Sequence, residues 1–155
     1  MISGHVDLTT TEFKAHYEEK ILAAIQANHK FIVGSARGGD LMGLQCLLEH
    51  KVDPSNITVY CFNQGQDDLE VAKSFQTTYG VLTKVGYSSY TNRDKAMTDE
   101  SDEDILWVRS SDECKAMYGD KYIVRISGTE HNKIRRMKKN KPSLLNRFTT
   151  SKKEV

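Results

Sequence analysis

The stretch Gly34-Ser35-Ala36-Arg37-Gly38-Gly39-Asp40 carries the densest chemistry in the chain. It follows the apolar run Phe31-Ile32-Val33 and precedes an amphipathic stretch with Leu41, Leu44, Leu47 and Leu48 on its inward side. Strand, turn and helix in that order are the context a phosphate-cradling turn requires. Glycines at 34, 38 and 39 let the backbone turn sharply and approach a ligand without Cβ clashes. The N–H groups opening the next helix favour an anion, and Arg37 offers a bidentate contact to phosphate. Asp40 pulls the other way. A carboxylate at a helix start repels a nearby phosphate and better suits an N-cap or a ribose hydroxyl. The spacing is neither a dinucleotide fingerprint nor a Walker A motif, because no Lys-Ser/Thr follows. Read alone, the turn leaves ligand binding and a purely structural role both open.

Three further groups have reactive or binding side chains. Ser3-Gly4-His5 follows Ile2, where the histidine suits a base or phosphate contact or, equally, a solvent-facing loop. Ser127-Gly128-Thr129 opens the last amphipathic stretch, with Glu130, His131 and Asn132 in its first turn. Arg93 has two candidate partners, a ligand phosphate and the acidic run 99–104. His16, His29 and His50 read as surface or cap residues, and Trp107 sits in an apolar run that reads as core. Cys46, Cys61 and Cys114 are scattered, without metal spacing or a disulfide framework. No Ser-His-Asp, HExxH or CxxC arrangement is legible. The expectation is therefore no metal, no bound cofactor and no covalent nucleophile.

The elements that must position these groups alternate between short apolar runs and amphipathic segments. Ile2 is a very short opening strand. Thr9 and Glu12 form a capping box for a helix over 10–28, whose stripe is Phe13, Tyr17, Ile21 and Ile25. Phe31–Val33 is a strand, a helix runs from about Asp40 to His50, and Ile57–Phe62 is the clearest strand. A weaker helix over 67–79, a strand over 81–85 and a short helix over 92–100 follow. Ile105–Val108 reads as a buried strand, Tyr122–Ile126 as another, and the last helix runs from 127 to about 139. Strands separated by helix-length segments predict an α/β, Rossmann-like three-layer domain with a mostly parallel central sheet. Ligands in such sheets sit outside the carboxyl ends of strands, and the polar and glycine-rich segments fall at those ends. One domain over 1–140 and a basic, mobile tail over 141–155 after the break near Pro142 are expected.

The order of these motifs resembles the SLOG superfamily. Ile2-Ser3-Gly4-His5, the Gly34–Asp40 turn with Leu41-Met42-Gly43, Arg93-Asp94-Lys95-Ala96-Met97 before an acidic turn and the Trp107 run, and Ser127-Gly128-Thr129 carry the likeness over about residues 1–137. That Rossmann-like group includes the Lonely-guy phosphoribohydrolases and the DNA-processing protein A domain. The resemblance implies a nucleotide or nucleoside derivative bound by Ser3, Gly4, His5, Gly34, Ser35, Arg37, Gly38, Gly39, Asp40, Arg93, Ser127, Gly128, Thr129 and Asn132, in a homo-oligomer. Phosphoribohydrolases carry a glutamate three residues past the threonine, where this chain has Asn132. Glu130 directly follows Thr129, and adjacent helix positions do not share a face. An asparagine can only hydrogen-bond, whereas cleavage of an N-glycosidic bond calls for a carboxylate. The expected role is therefore a sensor or carrier. A hydrolase or transferase acting on the N-glycosidic bond of a nucleoside 5'-monophosphate, with Glu130 or Asp40 supplying the carboxylate, is the alternative.

The net charge of +1 conceals an asymmetry. Residues 133–153 hold nine Lys or Arg and no acid, leaving thirteen basic against twenty acidic side chains in 1–132. Such a split fits a solvated last helix and also an acidic body with a nucleic-acid arm. The arm's only aromatic is Phe148, which gives bases no stacking platform, so nucleic acid is the less favoured partner. No apolar run approaches the roughly 20 residues of a membrane helix. No leader pattern opens the sequence, and the cysteine usage fits a reducing compartment. The cytoplasm is the expected location.

Overall fold

The computed structural model describes residues 1–141. The expected tail therefore lies, beyond Lys141, outside the described residues.

The first helix forms where its capping box predicts: Glu12 N–H donates to Thr9 Oγ1 at 3.2 Å and Thr9 N–H to Glu12 Oε2 at 3.0 Å. The chain then runs through α1 (Thr10–Phe13), a π-helical segment (Lys14–Glu18) and α2 (Glu19–Gln26). Apolar residues spaced strictly by four drift around an α-helix of about 3.6 residues per turn. The wider π turn takes up that drift, so Phe13, Tyr17 and Ile21 are all buried.

Three strands, β1 (Phe31–Gly34), β2 (Ile57–Tyr60) and β3 (Leu82–Lys84), pair in parallel in that order. Their crossovers are α3 (Gly39–Glu49) and α4 (Asp68–Tyr79). Ile2 adds a single-residue parallel bridge to Val33, and on its other side a second to Ile105. The full order is thus Ile105, Ile2, β1, β2, β3. The chain winds outward from Ile2 to β3, then returns through α5 (Tyr90–Asp99) to the far side of Ile2. Winding reverses at Ile2, which makes the loops after Ile2 and Ile105 the switch point of the sheet.

Side-chain alternation sorts the strands into two faces. Phe31, Val33, Ile57 and Val59 bury against Tyr17, Ile21, Leu44, Leu47 and Val71 from the first four helices. Ile32 and Tyr60 face the other way and meet Met97 of α5, beside which α7 (Gly128–Lys139) packs. The result is a Rossmann-like α/β domain with helices on both faces of a parallel sheet. Among the described residues no helix is long and apolar enough to cross a membrane.

Two expected strands do not form as such. In the run Ile105–Val108 only Ile105 pairs, and Trp107 is half-buried, stacked on His16 with ring centroids 4.0 Å apart. Tyr122–Ile126 is not a strand, and Ile123 and Val124 are 74% and 85% exposed. Its apolar β-branched composition has no ladder to join, because the strand at that edge of the sheet is one residue long. A helix not anticipated, α6 (Ser111–Tyr118), opens on a capping box between Ser110 and Glu113, a pattern present in the sequence.

Candidate functional site

Tight backbone packing builds the carboxyl edge of the sheet. Gly38 adopts φ +76°, and a Cβ there would lie 2.3 Å from the His5 carbonyl oxygen. A Cβ on Gly39 would lie 2.4 Å from Gly4 Cα. The loop after Ile2 thus presses directly on the start of α3, and Gly39 N–H donates to His5 O at 3.0 Å. These two glycines are required by contact between two segments of the chain itself. Gly34 serves the same end, since a Cβ there would overlap the Asp40 carboxylate at 2.2 Å.

Packed this way, the turn buries Asp40 to 4% exposure. Arg93, itself buried, approaches it at 3.6 Å and forms a closer pair with Asp94 at 2.8 Å. The second Asp94 oxygen accepts from Asn132 Nδ2 at 3.3 Å, and the same amide donates to Ser3 Oγ at 2.8 Å. Asn132 is 2% exposed. Residues from the Ile2 strand end, the start of α3, α5 and the first turns of α7 therefore converge in one polar cluster. Burial pushes the Asp40 carboxyl up to about 7, against the pull of the Arg93 charge and with reinforcement from Asp94. For Arg93, burial opposes the charge, but Asp40 and Asp94 outweigh it and hold the guanidinium above its ordinary value. The acidic run is not its partner. Asp104 pairs with Arg136, Glu100 with Lys84 and Asp99 with Lys95.

Other expected site residues lie around this cluster with different tasks. Ser35 joins the ends of β1 and β2: its hydroxyl accepts from Phe62 N–H at 3.0 Å and lies 3.0 Å from the Asn63 side-chain amide. A hollow of about 570 Å³ opens beside it, lined by Asn63, Gln66, Asp67, Glu70 and Phe75 among others. Arg37 is exposed and has no ion-pair partner among the described residues. Ser127 caps α7, accepting from Glu130 N–H at 3.1 Å. Thr129 is buried, Gly128 exposed and Glu130 half-buried. His5 turns inward, where Nε2 accepts from Arg109 N–H at 3.1 Å and the ring meets Trp107 edge-on. Burial, with help from the Arg109 charge, lowers its pKa below the ordinary histidine value.

Arg109 was not singled out from the sequence, yet it ties the loop after Ile2 to the first helix. It donates to Glu12 through Nε (2.8 Å) and Nη2 (2.7 Å), and to Asp7 through Nη1 (2.6 Å). Tyr118 closes the set through hydrogen bonds with Arg109 and Asp7. Hydrogen bonding from Arg109 brings the Glu12 carboxyl down to about 2. Asp94 was equally missed as a site residue. Its only signal is position, next to Arg93 on a helix whose inward face the arginine already marks.

A scan against protein-family models finds no match, and neither the curated proteins nor the solved structures yield one.

Proposed function

We propose that the carboxyl edge of the sheet holds a nucleotide or nucleoside derivative, and that the protein acts as its sensor or carrier. The observation that carries this reading is the polar cluster of Ser3, Asp40, Arg93, Asp94 and Asn132 beside the switch point of the sheet. Burying charges this way contributes little to stability. Perturbed titration in such a cluster is a frequent mark of a functional site, and α/β sheets bind ligands where winding reverses. The SLOG-like order of the motifs supports the same reading. The hydroxyl and amide groups of the Ser35–Asn63 hollow, with Asp67 and Glu70 beside them, suit a base and a ribose rather than a phosphate. Phosphate contact then falls to Arg37. Arg93, occupied by two carboxylates, is a positioning residue. The resemblance also implies a homo-oligomer, which sedimentation of the purified chain would test.

The experiment is a thermal-shift titration with nucleosides and their 5'-monophosphates. A charge-assisted hydrogen bond is worth roughly 1.5–3 kcal/mol, so Arg37→Ala should weaken a monophosphate about tenfold or more and spare the nucleoside. No shift with any ligand, or equal losses for both, would overturn the reading.

One observation favours a second reading, hydrolysis or transfer at the N-glycosidic bond of a nucleoside 5'-monophosphate. Asp40 keeps its proton to about pH 7, in the range where a carboxyl serves as general acid. Glu130, the other candidate, sits half-buried in the first turn of α7. Release of free base by the wild type, lost in Asp40→Asn or Glu130→Gln, would promote this reading. The nucleic-acid alternative loses two of the arm's cations. Arg136 is spent on Ser101 and Asp104, and Lys139 on the carbonyls of Thr98, Asp99 and Ser101.

A further inference from the structure

Both faces of the segment between α6 and α7 are open to solvent. Residues 122–127 run without turn or bend, with Tyr122 and Ser127 at the two ends in the extended region of backbone space. Among the described residues the N–H and C=O groups of Ile123, Val124, Arg125 and Ile126 have no backbone hydrogen-bond partner. Val124 and Ile123 are the two most exposed large apolar side chains of those residues, and Ile126 is also exposed. Apolar residues scattered singly over a surface need no explanation, but a contiguous exposed run marks an interaction surface. An extended run of unpaired peptide groups is moreover a template for another strand. Tyr122–Ile126, which reads as a strand from its composition, thus has the conformation of one and lacks only the neighbour.

We propose that the neighbour is a second copy of the chain, with Tyr122–Ile126 of the two copies paired antiparallel about a two-fold axis at Val124. The segment is complementary to itself in this register. Side chains alternate along a strand, so Tyr122, Val124 and Ile126 share one face and Ile123 and Arg125 the other. Val124 then lies opposite the partner's Val124. Tyr122 lies opposite the partner's Ile126, an aromatic and β-branched pair of the kind that stabilises a sheet. Arg125, the only charge of the segment, lies opposite the partner's Ile123. A parallel pairing in register would instead set the two Arg125 side chains next to each other, where like charges repel. The antiparallel ladder avoids that and keeps one face apolar throughout. Tyr122 turns this face toward α6, whose Lys115 Nζ stands 5.9 Å from the centroid of the tyrosine ring. A ladder of this length is small beside a standard protein interface, which implies a weak dimer. The segment leads directly into Ser127, the cap of α7, so pairing would also fix the approach to Gly128 and Thr129. This surface rests on the homo-oligomer reading and is independent of the ligand.

Sedimentation velocity of the full chain over a concentration series tests it, and the wild type should pass from monomer to dimer as concentration rises. Val124→Arg sets two arginines directly opposite each other and should raise the dissociation constant at least about tenfold. Val124 is exposed in the monomer, so the variant should fold and melt within about 2 °C of the wild type in dilute solution. Cross-linking checks the register in a Cys114→Ser background, since Cys46 and Cys61 are buried. Opposite residues of an antiparallel pair have Cα atoms about 4.5–5.5 Å apart, a distance that a disulfide spans. Val124→Cys should therefore join two copies when diamide is added as oxidant. Ile126→Cys should not, because each Ile126 lies opposite residue 122 of the other copy. A wild type that stays monomeric at every concentration would overturn the proposal together with the homo-oligomer. A dimer untouched by Val124→Arg, or cross-linked as readily at 126 as at 124, would overturn this surface alone. Hydrogen exchange at monomeric concentration closes the test. Slow exchange of the 123–126 amides there would also sink the proposal, because the neighbour would then belong to the same chain.

Discussion

Replacing Asp40 with Asn removes a charge that the fold holds at a cost. The carboxyl titrates at about 7 in the folded chain against an ordinary value of 3.8, with burial the principal cause. Each tenfold change in proton affinity is worth about 1.4 kcal/mol, so ionising Asp40 costs the native state at most about 4 kcal/mol. Part of this is returned on substitution. The attraction of Arg93 is already inside that figure, so the only return is the donor that the Asn amide turns toward the guanidinium, and we expect a net gain of about 3 kcal/mol at pH 8. The pH dependence separates this effect from packing. Below pH 3.8 the carboxyl is protonated in both folded and unfolded chains and contributes no difference. Between 3.8 and 7 the native state holds a proton that the unfolded state lacks, so wild-type stability falls as pH rises through that window. Above 7 the whole penalty is present. Urea melts of both proteins at several values from pH 4.5 to 8 should show Asp40→Asn near parity at the acid end and progressively more stable toward pH 8. Other carboxylates titrate alike in both proteins and cancel in the difference. A gap that does not change with pH, or one that moves in favour of the wild type between pH 5 and pH 8, would refute the reasoning. The Arg93 attraction would then outweigh burial.

Two further substitutions probe the scaffold around the cluster. Gly39→Ala forces a Cβ to within 2.4 Å of Gly4 Cα, backbone against backbone with no rotamer to yield. The cost should be at least about 3 kcal/mol by denaturant unfolding, and wild-type stability in this variant would mean that the loop after Ile2 does not press on α3. Arg109→Ala leaves Glu12 and Asp7 without their cation, and because both carboxylates keep some solvent the loss should be about 2–3 kcal/mol at neutral pH. Glu12 titrates at about 2 when paired and ordinarily at 4.5, so the gap to wild type should be full above pH 4.5 and close as pH falls toward 2. A gap unchanged in acid would assign the loss to packing alone.

Most of the frame was legible because it rests on local signals. The Thr9–Glu12 capping box, the four-residue apolar spacing after it and the β-branched run at Ile57 each specify their element without help from distant residues. The glycines of the 34–40 turn were legible as a close approach but not as to what approaches. A sequence places Gly38 and Gly39 next to something, and only the fold shows that it is the loop of His5 and Gly4. Arg109 and Asp94 were illegible for a related reason. Their partners lie up to 104 residues away, as in Arg109 with His5, and a lone arginine after an apolar run has no periodic pattern to mark it. The Tyr122–Ile126 run failed in the opposite sense. Its β propensity was real, but propensity describes fit to a neighbouring strand, and none is there.

The electrostatic balance of the carboxyl edge narrows what a ligand could be. Asp40, Arg93 and Asp94 carry a formal charge of −1 together when both acids are ionised, and zero when Asp40 keeps its proton. The hollow beside Ser35 adds Asp67 and Glu70 and, among the described residues, no cation. A polyphosphate laid across this edge would meet more negative charge than positive, with Arg37 its single compensating side chain in the turn. A ligand with one phosphate, or none, and several hydroxyl and amide groups fits the arrangement better. Binding of an anion near Asp40 should in turn raise its proton affinity further, since a neighbouring negative charge disfavours the carboxylate. Proton uptake on binding would therefore accompany a monophosphate and not the matching nucleoside, which links the pH dependence of Asp40 to the charge of whatever occupies the site.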